Sequence, residues 1–257
     1  MSSLLKLEKR GSVALITIDN APANVWTLES LDALRDMVLG LNADAQIRAL
    51  VLTGQGPKFF SAGADLKVFA EGGKLAGVDM ARAFGEAFET LAAFRGVSIA
   101  AINGYAMGGG LEVALACDTR IAETHAQMAL PEGSVGLLPC AGGTQWLANA
   151  VGPAWAKRMI LCGERVDAAT ALRIGLVEEV VATGEALNTA LALAAKVEKQ
   201  SPGSIEACKG LIHAERAPAQ QALPLERELF IKLFDTKDQA EGVNAFIEKR
   251  KPQWAGQ

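Results

Sequence analysis

Two short runs of this chain place backbone amides where a developing negative charge would be stabilised. Phe59-Phe60-Ser61-Ala62-Gly63-Ala64-Asp65-Leu66 and Asn103-Gly104-Tyr105-Ala106-Met107-Gly108-Gly109-Gly110-Leu111-Glu112 each follow an apolar run and lead into a helical pattern. Both do so through residues too small to hide the main chain. The first N–H groups of a helix lack partners within it and carry partial positive charge, so each turn offers amides to an anion. Two such turns converging would form a preformed oxyanion hole, which predicts an enzyme.

Two acids stand near these turns. Glu112 follows Gly108-Gly109-Gly110 in the first helical turn, and Glu132 follows Leu130-Pro131 after a short apolar segment. Taken singly, Glu112 is an acid favoured by a helix N-terminus, the glycines are tight strand–helix packing, and Glu132 is a solvated turn acid. A third glycine-rich turn, Gly136 to Gln145, also enters a helix and carries Cys140. Three such turns with two acids between them point instead to one site, where paired carboxyl groups serve as general acid and base.

The elements that must position these residues alternate in type. Val13–Ile18, Ala49–Thr53, Ile99–Ile102 and Met128–Leu130 read as strands. Thr27 caps a helix with Leu28, Leu31, Leu34, Val38 and Leu41 at helical spacing. A further helix begins at Asp65, Glu71 to Gly77 reads as a glycine-rich surface loop, and Phe84, Phe88 and Leu91 mark another helix. After Ser201-Pro202-Gly203 the strand signal ends. Ile205–Ala214, Leu223–Phe234 and Gln239–Lys249 then read as helices. The expectation is an α/β core over residues 1–200 and a helical region over 201–257.

At 257 residues and half hydrophobic, the chain can bury a substantial core. A net charge of −4 and a pI near 5.4 argue against nucleic acid as the main partner. The first ten residues have no apolar core of a signal peptide, and no apolar run is long enough to span a bilayer, so a cytoplasmic location is expected. Cys117, Cys140, Cys162 and Cys208 form no Cys-x-x-Cys pair, and with only His125 and His213 beside them no metal site is expected. No Gly-x-Gly-x-x-Gly or P-loop frame occurs. A Ser-His-Asp hydrolase would need one of the two histidines, and neither stands in a telling context.

The runs Ser61–Leu66, Ala101–Glu112 and Ala141-Gly142-Gly143-Thr144-Gln145 resemble the crotonase (enoyl-CoA hydratase/isomerase) family. So do the segment from Gly163-Glu164-Arg165-Val166 through Ala168 and Ala171 to Gly175-Leu176-Val177, and the tail from Asp238 to Pro252. The resemblance spans nearly the whole chain in order. It implies a crotonase-like spiral of ββα units with a helical C-terminal region that closes the coenzyme pocket and forms subunit contacts in a trimer or a dimer of trimers. It further implies that the amides of Ala64 and Gly109 hold a thioester oxygen, and that Glu112 and Glu132 occupy the two acid/base positions of hydratases. Ala23, Asn24, Val25, Ala62, Asp65, Leu66, Lys67, Gly108 and Cys140 would line the substrate and coenzyme A groove, and Lys249, Arg250 and Lys251 are candidates for phosphate contacts.

The reaction implied is reversible syn addition of water to a trans-2-enoyl-CoA, giving a 3-hydroxyacyl-CoA, as in fatty-acid β-oxidation. Coenzyme A would arrive as part of the substrate, with no other cofactor and no metal. Glu112 is expected to activate the water and Glu132 to protonate the α-carbon. The alternatives are a Δ3,Δ2-enoyl-CoA isomerase, in which one carboxylate shuttles a proton, and a non-catalytic acyl-CoA or RNA-binding protein. The chain departs from the family at several positions. Cys140 stands where Gly is frequent, Trp146 where many members carry Arg, Val97-Ser98 where Lys-Pro is common, and Gly133-Ser134 where bulky apolar residues often follow the acid.

Overall fold

The computed structural model describes residues 4–214 and 223–255. The extreme N-terminal residues 1–3, part of the segment read above as having no apolar leader, lie outside the described residues. Along the chain, β1 (Leu5–Arg10), β2 (Val13–Ile18) and α1 (Leu28–Ala43) precede three ββα units. These are β3 (Ala49–Gly54), β4 (Phe59–Ser61) and α2 (Leu66–Ala92); β5 (Val97–Ile102), β6 (Tyr105–Met107) and α3 (Gly109–Ala116); and β7 (Thr119–Glu123), β8 (Gln127–Ala129) and α4 (Gly143–Leu161). Then follow β9 (Val166–Asp167), α5 (Ala168–Arg173), β10 (Glu179–Val181), α6 (Ala186–Val197), α7 (Pro202–Ala214), α8 (Leu223–Leu233) and α9 (Lys237–Ile247).

Each ββα unit gives its first strand to one sheet and its second to another. The six-stranded sheet runs β1-β2-β3-β5-β7-β10, parallel except for the β1–β2 hairpin. The four-stranded sheet runs β4-β6-β8-β9, with β9 antiparallel. Alternation along the strands divides the interior in two. Ile16, Ile18, Leu50, Leu52 and Ile102 face the core shared with α1, α2 and α3. Val13, Leu15, Val51, Ile99 and Ile121 face the other way and are covered by Ala186, Ala190 and Ala194 of α6. A strand buried on both faces reads as a continuous apolar run, as Ala49–Leu52 does.

The three C-terminal helices form with ends shifted by a few residues from the sequence-based ranges. The loop expected over Glu71 to Gly77 does not. The helical path of α2 continues through it, interrupted only at Gly73 (φ 54°, ψ −142°). Gly73 breaks the helix in open space, while Gly77, and Gly85 beyond the segment, serve close packing. A Cβ at Gly77 would lie 2.5 Å from the Phe234 ring, and one at Gly85 would lie 2.6 Å from the Arg227 guanidinium. Side chains at the C-terminal end of the chain thus lie directly on α2, and Phe69, Phe230 and Phe234 join edge-to-face across that contact.

One strut before the site is testable. Asn24 is 2% exposed with φ 54°, a left-handed conformation that Asn tolerates. Its Nδ2 donates to the carbonyls of Gln55 (3.0 Å) and Phe59 (2.9 Å), and its Oδ1 accepts from the Asn20 amide (3.2 Å). Asn24→Ala leaves these partly buried groups without their partner, and urea denaturation is expected to show a loss of about 2 kcal/mol. A loss within error of zero would mean that solvent replaces all three bonds.

Candidate active site

The first turn is fixed from both sides by backbone bonds. The Trp26 amide donates to the Gly63 carbonyl (2.8 Å), the Asp65 amide to the Trp26 carbonyl (3.1 Å) and the Ala62 amide to the Ala23 carbonyl (3.0 Å). The Ser61 hydroxyl takes the Gly63 amide at 3.2 Å. Asp65 caps α2 by accepting from the Lys67 amide (3.1 Å). In the second turn the Gly108 amide donates to Ala129 of β8 (3.0 Å), and α3 starts at Gly109. The two turns touch. A Cβ at Gly110 would lie 2.2 Å from the Ser61 carbonyl oxygen, so no larger residue fits there without parting them. Among the described residues neither the Ala64 nor the Gly109 amide has an acceptor, while the flanking Gly63, Asp65 and Gly108 amides are taken.

A cavity of about 580 Å³ lies over these turns. Ala23, Val25, Ala62, Ala64, Asp65, Leu66, Lys67, Gly108, Gly109, Glu112, Glu132 and Cys140 all line it. Asn24, expected in the groove, does not, because its side chain is turned away onto the three backbone groups described above, and neither do Arg250 and Lys251, the candidates for phosphate contacts. Phe69, Phe84, Leu137, Leu138 and Phe230 also line it and make it largely apolar. In the sequence Phe84 is read only as part of a helical pattern. Phe246, Ile247 and Lys249 reach the same cavity from the C-terminal end, Lys249 with φ 56°. Its neighbour Arg250 is engaged by Glu241 and Glu248, with Nη2 2.8 Å from Glu241 Oε2 and Nε 2.6 Å from Glu248 Oε2. This carboxylate pairing competes with the phosphate contact expected of Arg250.

Glu112 sits in the first turn of α3, 2% exposed. Its Oε1 accepts from the amides of Ala141 (2.8 Å) and Gly143 (2.9 Å) in the turn that opens α4. Burial first, and then the nearby carboxyl groups of Glu132 and Glu226, push Glu112 well above the ordinary carboxylate range; the two amides pull it back. Glu132 opens the 3-10 turn Glu132–Val135. Both its carboxyl oxygens are buried with no hydrogen-bond partner among the described residues, and one points at Gly108, 3.0 Å from where a Cβ would be. Burial pushes it up to about 8. Cys140 is also raised, chiefly by burial, so its thiol stays protonated and acts as a small apolar wall.

A third buried acid escaped the sequence reading. Glu226 of α8 is 3% exposed and accepts from the Gly142 amide (2.6 Å), the Thr144 amide (3.0 Å) and the Thr144 hydroxyl. An isolated Glu in an amphipathic helix normally marks the solvated face, and nothing in its spacing linked it to a turn some eighty residues earlier. The C-terminal helices also meet the other acid's turn, for a Cβ at Gly242 of α9 would lie 2.5 Å from the Val135 carbonyl carbon.

The arrangement joins amide donors, a carboxyl group held by two amides and a desolvated, unpartnered carboxyl group around one apolar cleft. Comparison with known proteins gives the class of enzyme to which such a cleft belongs. The enoyl-CoA hydratase/isomerase family profile matches residues 8–257. The chain is 40% identical over 249 residues to a short-chain-enoyl-CoA hydratase of Clostridium acetobutylicum, covering 95% of both chains. It is 39% identical to a 2,3-dehydroadipyl-CoA hydratase of Escherichia coli strain K12 over the full length of both. Among solved structures it matches Pseudomonas aeruginosa DspI with TM-score 0.83 and 65% identity, covering 91% of this chain and 96% of that one. Sequence, fold and cleft agree: this chain is an enzyme of the enoyl-CoA hydratase/isomerase family, built on the crotonase fold.

Proposed function

We propose that this enzyme hydrates 2-enoyl-CoA thioesters to 3-hydroxyacyl-CoA thioesters, with Glu112 and Glu132 as its acid/base pair. The observation that carries the reading is the unequal treatment of two buried carboxyl groups lining one cavity. Burial raises Glu112 as well, but its two amide hydrogen bonds oppose that rise. A protonated Glu132 removes the like charge that also opposes ionisation of Glu112, so of the two Glu112 is the one suited to ionise. Among the described residues Glu132 has no hydrogen-bond partner from another residue, and burial dominates its environment, which favours the neutral acid. A carboxylate beside a carboxylic acid is the state that syn hydration requires.

The thioester carbonyl is placed against the Ala64 and Gly109 amides, where negative charge develops as the enolate forms. Each such donor contributes on the order of 10²–10³ in rate by analogy with other oxyanion holes. Glu112 takes the proton of a water as its oxygen attacks C3, and Glu132 delivers its proton to C2. The lining residues Phe69, Phe84, Leu137 and Leu138 exclude bulk water and suit an apolar acyl group. Lys67 and Lys249 supply positive charge beside the cavity for the coenzyme's phosphates, in a chain that is acidic overall. Coenzyme A enters as part of the substrate and no other cofactor takes part. The helices after residue 200 close the pocket through Phe230 and Phe246. The exposed Leu211, Ile212, Leu225 and Leu229 on α7 and α8 suit subunit contacts in a trimer or a dimer of trimers.

The test is ultraviolet absorbance. Adding the enzyme to crotonyl-CoA is expected to remove the conjugated enoyl signal within seconds, with 3-hydroxybutyryl-CoA as the product. Appearance of that signal from a 3-enoyl-CoA, with no loss from crotonyl-CoA, would replace hydration by isomerisation.

A further inference from the structure

The turn Ala141-Gly142-Gly143-Thr144 presents four consecutive amides, and they are divided alternately between two carboxyl groups. Ala141 and Gly143 donate to Glu112 of α3, and Gly142 and Thr144 donate to Glu226 of α8. Successive peptide units share their Cα atoms, so fixing one pair of amides fixes the direction of the other pair. Gly142 has φ 91°, a conformation that only glycine adopts freely, so local backbone preference does not hold the turn in this shape. The opposing carboxyl groups do.

We propose that Glu226 is a positioning residue for the reaction: by holding the Gly142 and Thr144 amides it aims the Ala141 and Gly143 amides at Glu112 and so fixes the carboxylate that activates water. The inference rests on the role given to Glu112 above, and it goes beyond anchoring α8 to the core. Arg227, the next residue, anchors the same helix to α2 through Glu89 and makes no hydrogen bond to the turn among the described residues, so it separates the two functions.

The experiment compares Glu226→Gln with Arg227→Met in the full-length enzyme. A Gln side chain keeps one acceptor oxygen but turns an NH2 toward an amide that also donates, so it loses one of the two amide contacts. Glu226→Gln is expected to lower kcat on crotonyl-CoA about ten- to a hundredfold, the scale of a catalytic group displaced by a fraction of an ångström to an ångström, with KM within about twofold. Arg227→Met keeps kcat while lowering the melting temperature. In a Glu112→Gln background the Glu226 substitution is expected to add no further loss, because the group it serves is gone. Hydrogen–deuterium exchange of the peptide covering 141–144 is expected to rise in Glu226→Gln and not in Arg227→Met.

Wild-type kcat in a folded Glu226→Gln enzyme, an equal loss in Arg227→Met, or an undiminished effect in the Glu112→Gln background would each overturn the proposal. If Glu226→Gln does not fold, Thr144→Ala removes only the hydroxyl contact; it is expected to lower kcat severalfold, and no change overturns the proposal. If the wild type does not hydrate crotonyl-CoA, the function proposed above fails, and the exchange comparison still decides the role of Glu226 on its own.

Discussion

Glu112→Gln and Glu132→Gln are each expected to lower kcat for crotonyl-CoA hydration by about 10³-fold, within the 10²–10⁴ typical of a positioned acid or base. KM should stay within about threefold, because neither group is needed to hold the coenzyme. The two losses have different physical origins. In Glu112→Gln the carboxamide oxygen can still accept from the Ala141 and Gly143 amides, so the turn survives and only the capacity to take a proton is removed. In Glu132→Gln a neutral acid is replaced by a neutral amide of the same shape in an unpartnered, desolvated position, and only the capacity to give a proton is removed. The double variant should lose little more than either single one, because the groups act on one event. Initial rates of absorbance loss at saturating substrate decide the matter. A single variant retaining more than about a tenth of wild-type kcat lies outside the range for general acid–base catalysis and would remove that residue from the mechanism.

The part of the site legible in the sequence is the part built from local chain. The turns at Ala62–Leu66 and Gly108–Glu112 announce themselves because glycine and small residues between an apolar run and a helix have few other uses, and the structure brings both to one cavity. Strands and helices of the core were legible for the same reason, since their periodicity depends only on neighbours in sequence. Contacts made across long separations were not. Glu226 looks like a surface acid until α8 lies on the Gly142 turn. Asn24 looks like a groove residue until its amide is seen joining three backbone segments. Gly77 looks like a loop until Phe234 occupies the space a side chain would need. In each case the deciding partner lies more than thirty residues away in the chain, beyond the reach of any local pattern.

The buried acids also set how stability changes with pH, and the sign tests the neutral state proposed for Glu132. With its carboxyl group raised from an ordinary 4.5 to about 8, the folded enzyme binds this proton more tightly than the unfolded chain does. Between those values the folded state carries more protons, so stability falls as pH rises. The contribution is fully present below about pH 4.5 and is lost as pH passes through about 8. Glu112 and Glu226, also raised chiefly by burial, act in the same direction. Glu241 is lowered to about 2 by Arg250, and its stabilisation is lost only in more acid solution, below its ordinary 4.5. Glu132→Gln mimics the protonated acid at every pH. By urea denaturation at pH 5 the variant should therefore lie within about 1 kcal/mol of wild type, and by pH 8.5 it should be more stable than wild type by about 2–4 kcal/mol. A difference that does not change with pH would mean that Glu132 ionises as an ordinary carboxylate, and the α-proton would then need another donor. A widening difference would show that the site keeps an unpartnered acid at a cost in stability, as expected where a proton must be held ready for carbon.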